Sequence, residues 1–525
     1  MEWNFPYRSG RMPVMARNIV ATSQPLAAQA GIRVLQEGGN AVDAAVAAAI
    51  ALTVVEPASN GIGGDAFAIV WDGRRTHGIN GSGKSPQAWT YERFAHSGKM
   101  PERGWDTVTV PGAVSVWASL SGKFGRLPFE RLFGPALRYA VDGFPVSPKT
   151  AGAWTMAAES LRDFPGFRET FLVQGRAPVA GEIFRCPEQA GTLREIAETK
   201  GESFYRGRLA EKIAQCSKNE NGLMSLEDLA LHKPEWILPL SQNYRDVTLH
   251  ELPPNGQGLA ALIALGILGR FELSRYPVDS ADSIHLQIEA MKLAFADMKK
   301  HLADPAYMTA SPEEFLRPEY LESRAAMIDM RMTKSPVSGI PYDGGTVYLT
   351  TADSEGMMVS YIQSNYMGFG SGIVIPGTGI SMQNRARGFT LEKGHPNQVD
   401  GGKRPYHTII PGFVTSDGNP ILSFGVMGGH MQAQGHVQIM TRVFDYGQNP
   451  QVACDAPRWF ISEDSKIAIE PGFPQKTLSE LSERGHSIIT DIPESTFGGA
   501  QLILKADSCY IAGSDHRKDG LAVGY

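Results

Sequence analysis

The sequence predicts a layered α/β sandwich, and three observations point there. Residues 16–80 combine a β-like run, two helices and an alternating hairpin; residues 125–330 are rich in helical periodicity; and from residue 346 the pattern turns to strands, "TVYLTTAD", "MMVSYIQSN", "SGIVIP" and "ILSFGVMGG". Helices on both sides of antiparallel-type strands can bury one face of each layer against the next. A chain of 525 residues can build one large core or several domains.

The elements follow in order. Ala16–Thr22 reads as a short strand, and "SQPLAAQAGIRVLQEGG" (23–39) as an amphipathic helix stopped by Gly38-Gly39. Asn40 suits the N-cap of the Ala-rich stretch 41–55, which is too short and too weakly apolar for a bilayer span and reads as a buried helix. "EPASNGIGGD" (56–65) is a glycine-rich turn, and 66–80 alternate like a hairpin turning at Asp72-Gly73. Residues 125–330 are expected to be mostly helical, 331–345 to be a linker, and 436–447 to be a helix ahead of a β-rich tail. There is no internal repeat.

Composition narrows the function classes. The net charge of −6, with no long Lys/Arg run, argues against nucleic acid as a partner. Four cysteines without CxxC spacing are expected to be reduced and buried, and the polar N-terminus lacks a secretory h-region. The expectation is a cytoplasmic protein with no membrane partner.

The motifs exclude several chemistries. "NGIGGD" (60–65) and "GFGSGIVIPGTG" (368–379) match neither a P-loop nor a strand–GxGxxG–helix unit, so tight turns or close approach to a small ligand are expected. No G-x-S-x-G elbow is present, and His430 and His436 lack metal-helix spacing. "PYDGGTVYLTTAD" (341–353) leaves two readings open. It is a hairpin turn, or the chain is cut before Thr346. A threonine hydroxyl is a poor nucleophile alone, but an N-terminal threonine carries its own base, an α-amine titrating at about 8.

"GGNAVDAAVAAAIALTVVEPASNGIGGDAFAIVWDG" (38–73), "VTVPGAVSVW" (108–117), "YAVDGFPVSP" (139–148), "FGSGIVIPGTGI" (369–380), "NQVDGGKRPYHTIIP" (397–411), "GVMGGHMQ" (425–432), "DAPRW" (455–459) and "SDHRKDGLAVGY" (514–525) together resemble the γ-glutamyltransferase (glutathione hydrolase) family, in consistent order from about residue 16 to the end. The resemblance implies a four-layer αββα sandwich of the N-terminal-nucleophile hydrolase type. It implies self-cleavage between Gly345 and Thr346, giving a large subunit (1–345) and a small subunit (346–525). It also implies Thr346 as nucleophile, Ser364 as its hydroxyl partner and Gly428-Gly429 as the oxyanion hole. No metal or organic cofactor is implied.

The departures from the family pattern bear on the substrate. Ser82 stands where the family has an arginine for the glutamyl α-carboxylate, with Lys84 two residues on. Gly388 stands where it has an aspartate for the α-ammonium, and Arg385 replaces a glutamine. His407-Thr408 replace a serine pair, and Tyr366, beside Asn365, replaces an asparagine. The grip on an α-amino acid is thus dismantled, while Arg385 and Arg387 could form a fork-shaped carboxylate site. The expected function is a self-processing threonine amidohydrolase acting on a small carboxylate-bearing acyl donor, a γ-glutamyl amide such as glutathione. The alternatives are an oxamate amidohydrolase, a glutaryl (cephalosporin-type) acylase, and a non-catalytic scaffold.

Overall fold

A computed structural model describes residues 10–334, 345–462 and 464–525. The N-terminal residues 1–9 and most of the expected linker, 335–344, lie outside the described residues. Among those described, the main strands are β1 (Val14–Ala16), β2 (Ile19–Thr22), β3 (Asp65–Trp71), β4 (Thr76–Asn80), β5 (Glu235–Ile237), β6 (Leu240–Tyr244), β7 (Val247–Glu251), β8 (Gly345–Ala352), β9 (Met358–Tyr366), β10 (Gly412–Ser416), β11 (Asn419–Met427), β12 (Gly499–Lys505), β13 (Tyr510–Ser514) and β14 (Leu521–Gly524). They form two seven-stranded sheets in the orders β1-β13-β12-β11-β10-β7-β6 and β14-β2-β8-β9-β3-β4-β5. Every neighbouring pair is antiparallel.

Strand alternation explains the layering. On β3, Phe67, Ile69 and Trp71 face inward and pack with Tyr348, Ile362, Phe413, Met427 and Ile503 between the sheets. Ala66, Ala68 and Val70 face outward against helices α1 (Pro25–Gln36) and α2 (Ala41–Val55). The other sheet turns Val414, Leu422, Phe424 and Leu502 outward against α3 (Gly258–Leu268), α4 (Ala281–His301) and α5 (Met431–Phe444). The result is the expected helix–sheet–sheet–helix order. α2 is buried all round, with Asn40 and Asp43 forming a capping box at its start.

Two sequence expectations need correction. The stretch 235–251 is not helical but supplies β5, β6 and β7; its alternation "VTLHE" puts Val247, Leu249 and Glu251 on the buried side. The helix expected at 436–447 starts earlier, at Met431, because the Gly428-Gly429 turn feeds directly into it. Cys186, Cys216 and Cys454 are buried free thiols, and Cys509 is half-buried. No described helix is long and apolar enough to cross a membrane.

Candidate active site

The site grows from one end of the inner layer. Tyr348 and Thr350 face inward on β8: the Tyr348 ring lies against Gly425, and Thr350 Oγ1 is 2.6 Å from Ser423 Oγ. One further step of two residues puts Thr346 on the same row, opposite the end of β11. Thr346 is buried, and its Oγ1 donates to Ser364 Oγ at 3.3 Å. Ser364 Oγ accepts the Tyr366 N–H at 2.8 Å. Ser364 stands opposite Asp65 in the β9–β3 register, so Thr346, Ser364 and Asp65 form one inward-facing row across three strands.

Beyond β11 the chain turns at Gly428 (φ 110°) and Gly429 (φ 57°), conformations that exclude most side chains. The Gly428 carbonyl accepts the Met431 N–H at 2.9 Å, and the Gly429 carbonyl accepts the Gln432 N–H at 3.2 Å. Among the described residues, neither glycine's own N–H has a hydrogen-bond acceptor. Two fixed backbone donors at the end of β11, across the layer from Thr346, have the chemistry of an oxyanion hole.

Tyr366 ends β9 next to a register shift, with φ 77°, a strained value for an aromatic residue. Its ring faces Arg385, whose guanidinium carbon is 4.7 Å from the ring centroid. Arg385 is buried in a single 3₁₀ turn, Arg385–Gly388, and its Nη1 donates to Thr408 Oγ1 at 2.8 Å. Among the described residues, its Nε and Nη2 have no hydrogen-bond partner. These two groups form one edge of the guanidinium, the edge that holds a carboxylate by two parallel bonds. Burial lowers Arg385 to about 10, opposed by Asp65, so it stays cationic at neutral pH.

The other candidates separate into distinct places. His407 has both ring nitrogens engaged: Nε2 with Asp65 Oδ2 at 3.1 Å, and Nδ1 accepting the Ile409 N–H at 3.3 Å. Burial, reinforced by Arg385, holds its pKa far below the usual value, so it is a neutral supporting ring. Arg387 is partly exposed, 3.9 Å from Glu102, and does not join Arg385 in one buried fork. Ser82 is buried, with its Oγ 2.7 Å from Asn80 Oδ1, while Lys84 is exposed. A Cβ added at Gly388 would meet the Tyr406 carbonyl at 2.4 Å, so an aspartate does not fit there.

Two buried residues escaped the sequence reading. Asp65 closes the "NGIGGD" turn and accepts the Gly112 N–H at 3.0 Å; the signal for it was a lone acid opening the apolar strand "DAFAIVW". Gln257 carries no motif, yet it contacts both Thr408 and Gly429. A possible metal cluster, His285, Glu289 and His486, lies elsewhere. There Lys292 Nζ sits 2.9 Å from Glu289 and 3.4 Å from His486 Nδ1, so an ammonium already supplies the positive charge. His436 pairs with Glu251 at 2.5 Å inside the helical layer.

Comparison with known proteins agrees with this architecture. The sequence model described as gamma-glutamyltranspeptidase matches residues 27–525. The chain is 35% identical to the glutathione hydrolase-like YwrD proenzyme of Bacillus subtilis over 97% of this chain and 98% of that protein. It is 36% identical to the oxamate amidohydrolase proenzyme of Klebsiella pneumoniae over 98% and 99%. It superposes on the crystal structure of cephalosporin acylase from Bacillus halodurans with a TM-score of 0.96 and 47% identity, covering 100% and 99% of the two chains. The chain therefore belongs to the gamma-glutamyltranspeptidase family.

Proposed function

We propose that the protein is a self-processing threonine amidohydrolase that cleaves the amide of a small, carboxylate-bearing acyl donor. The observation that carries this reading is the buried Thr346 Oγ1, hydrogen-bonded to Ser364 at the inner end of β8. In self-cleavage, Thr346 Oγ attacks the Gly345 carbonyl, the Gly345–Thr346 C–N bond breaks to free the α-amine, and water hydrolyses the resulting ester to free the Thr346 hydroxyl and leave a carboxylate on Gly345. In turnover, Oγ attacks the donor amide while that amine takes its proton and passes it to the leaving amine. Gly428 and Gly429 N–H hold the oxyanion, and water releases the acyl group from Thr346. The proenzyme names of the relatives support this reading.

Arg385 receives the donor's carboxylate on its Nε/Nη2 edge, with Tyr366 beneath it and Thr408 holding the other side. Thr408 and Tyr366 thus act through Arg385, His407 supports Asp65, and Arg387 adds positive charge from the rim. A γ-glutamyl amide such as glutathione is the family's donor. A second reading, oxamate or a glutaryl-type amide, is favoured by the closed space at Gly388, which holds no acid for an α-ammonium, and by the buried Ser82, which offers no cation for an α-carboxylate. Screening glutathione, oxamate and glutaryl amides against neutral isosteres tests both readings. Arg385→Gln is expected to raise KM for an anionic donor by roughly 10- to 100-fold while leaving a neutral isostere nearly unchanged. Equal effects on both donors would refute the carboxylate site.

A further inference from the structure

Gln257 is wholly buried at the start of α3, behind both halves of the site. Its Nε2 donates to the Thr408 carbonyl at 2.5 Å and to the Gly429 carbonyl at 2.9 Å. Its Oε1 accepts the Tyr406 hydroxyl at 2.9 Å. Both amide protons and the carbonyl are in use, and two facing carbonyls leave the amide a single sensible orientation. The Gln257 backbone is tied in as well: its N–H donates to the His407 carbonyl at 3.0 Å. Asn255, two residues earlier, donates to the Pro405 carbonyl at 2.7 Å.

The Gly428-Gly429 turn needs such a support. Two successive glycines at positive φ can reorient their peptides at little steric cost. The Met431 N–H fixes the Gly428 carbonyl, and with it the peptide that carries the Gly429 N–H. Among the described residues, the following peptide, which carries the Gly429 carbonyl, has only the 3.2 Å bond from Gln432 besides Gln257. Through its second proton, Gln257 ties this turn to Thr408, the residue that holds Arg385.

We infer that Gln257 is a positioning residue that sets the oxyanion turn at a fixed distance from the acyl-donor carboxylate site. This inference rests on the reading of Thr346 and Gly428-Gly429 proposed above. Its action belongs to the transition state, where the oxyanion forms, more than to ground-state binding.

The test compares wild type with Gln257→Met and Gln257→Glu, each as the two-chain processed protein, using one neutral amide donor and a small alkylboronic acid. Thr346 Oγ adds to boron, its proton passes to the α-amine, and the tetrahedral boronate occupies the oxyanion hole without bond cleavage. Gln257→Met keeps the side-chain volume and loses both donated bonds. The expected result is a loss of kcat of roughly 10- to 100-fold with KM within about twofold, and an equal weakening of boronate binding. Gln257→Glu is expected to recover kcat relative to wild type as pH falls, where a protonated carboxyl donates one bond again, a profile that general destabilisation would not give. Unchanged kcat and boronate affinity, or a loss confined to KM, would overturn the role of Gln257 alone. Boronate binding undiminished in Thr346→Ala would overturn the Thr346 reading, and this inference with it.

Discussion

Asp65 is the residue on which the electrostatics of the site turn. Burial raises its carboxyl to about 7, against the pull of Arg385 and the N–H groups of Gly112 and Gly83. The titratable groups around it are Arg385, Arg404, His407 and Tyr205. An ionised Asp65 offsets part of the Arg385 charge, and an anionic donor on Arg385 favours the protonated acid. On the proposed carboxylate-site reading, donor binding is therefore expected to be accompanied by proton uptake at Asp65. Affinity is expected to be highest below about pH 7 and to fall several-fold as pH rises through it. Asp65→Asn should flatten the dependence of KM on pH for an anionic donor, while a neutral donor shows little slope in either protein. A slope that persists unchanged in the variant would contradict this account.

At the scale of elements, the site depends on how strand ends and loops are packed. The 3₁₀ turn Arg385–Gly388 lies so close to Tyr406 that glycine is required at 388. Gly388→Ala is expected to cost about 1–3 kcal/mol through overpacking against backbone, read as a drop in thermal stability. Stability equal to wild type would show that the turn can give way and that the family's aspartate could be accommodated. Legibility varied between elements for physical reasons. The Ala-rich helix α2 and the hairpin at Asp72-Gly73 announce themselves by capping and turn chemistry, and both are present. β5, β6 and β7 were missed because they are short and follow a long helical stretch, so their alternation had few residues in which to show. Gln257 was illegible for another reason: its partners are 151 and 172 residues away, and no local pattern encodes a contact over that distance.

At the scale of the whole molecule, the segments 1–345 and 346–525 are interleaved. β8 and β9 lie between β2 and β3 in one sheet, and β10 lies between β11 and β7 in the other. The C-terminal β14 pairs with β2, and Asp515 just before it binds Arg458 at 2.6 Å and Arg517 at 3.0 Å in a buried network. A cut before Thr346 would leave two chains that share both sheets, so they should stay together after it. The motifs that carried the family resemblance map onto this frame. Some, such as "NGIGGD", place Asp65 on the inner layer beside His407, while others, such as the terminal "SDHRKDG", serve packing. The substrate departures were legible residue by residue, but the closed space at Gly388 and the free edge of Arg385 required the fold.

In the proposed mechanism, Thr346 cuts its own chain and then acts as the nucleophile. Intact-mass spectrometry of freshly purified wild type beside Thr346→Ala is the decisive experiment. Wild type is expected to give two co-purifying masses, matching residues 1–345 and 346–525, and the variant one full-length mass. A single mass near 57.0 kDa for wild type, or the same two fragments from Thr346→Ala, would contradict it.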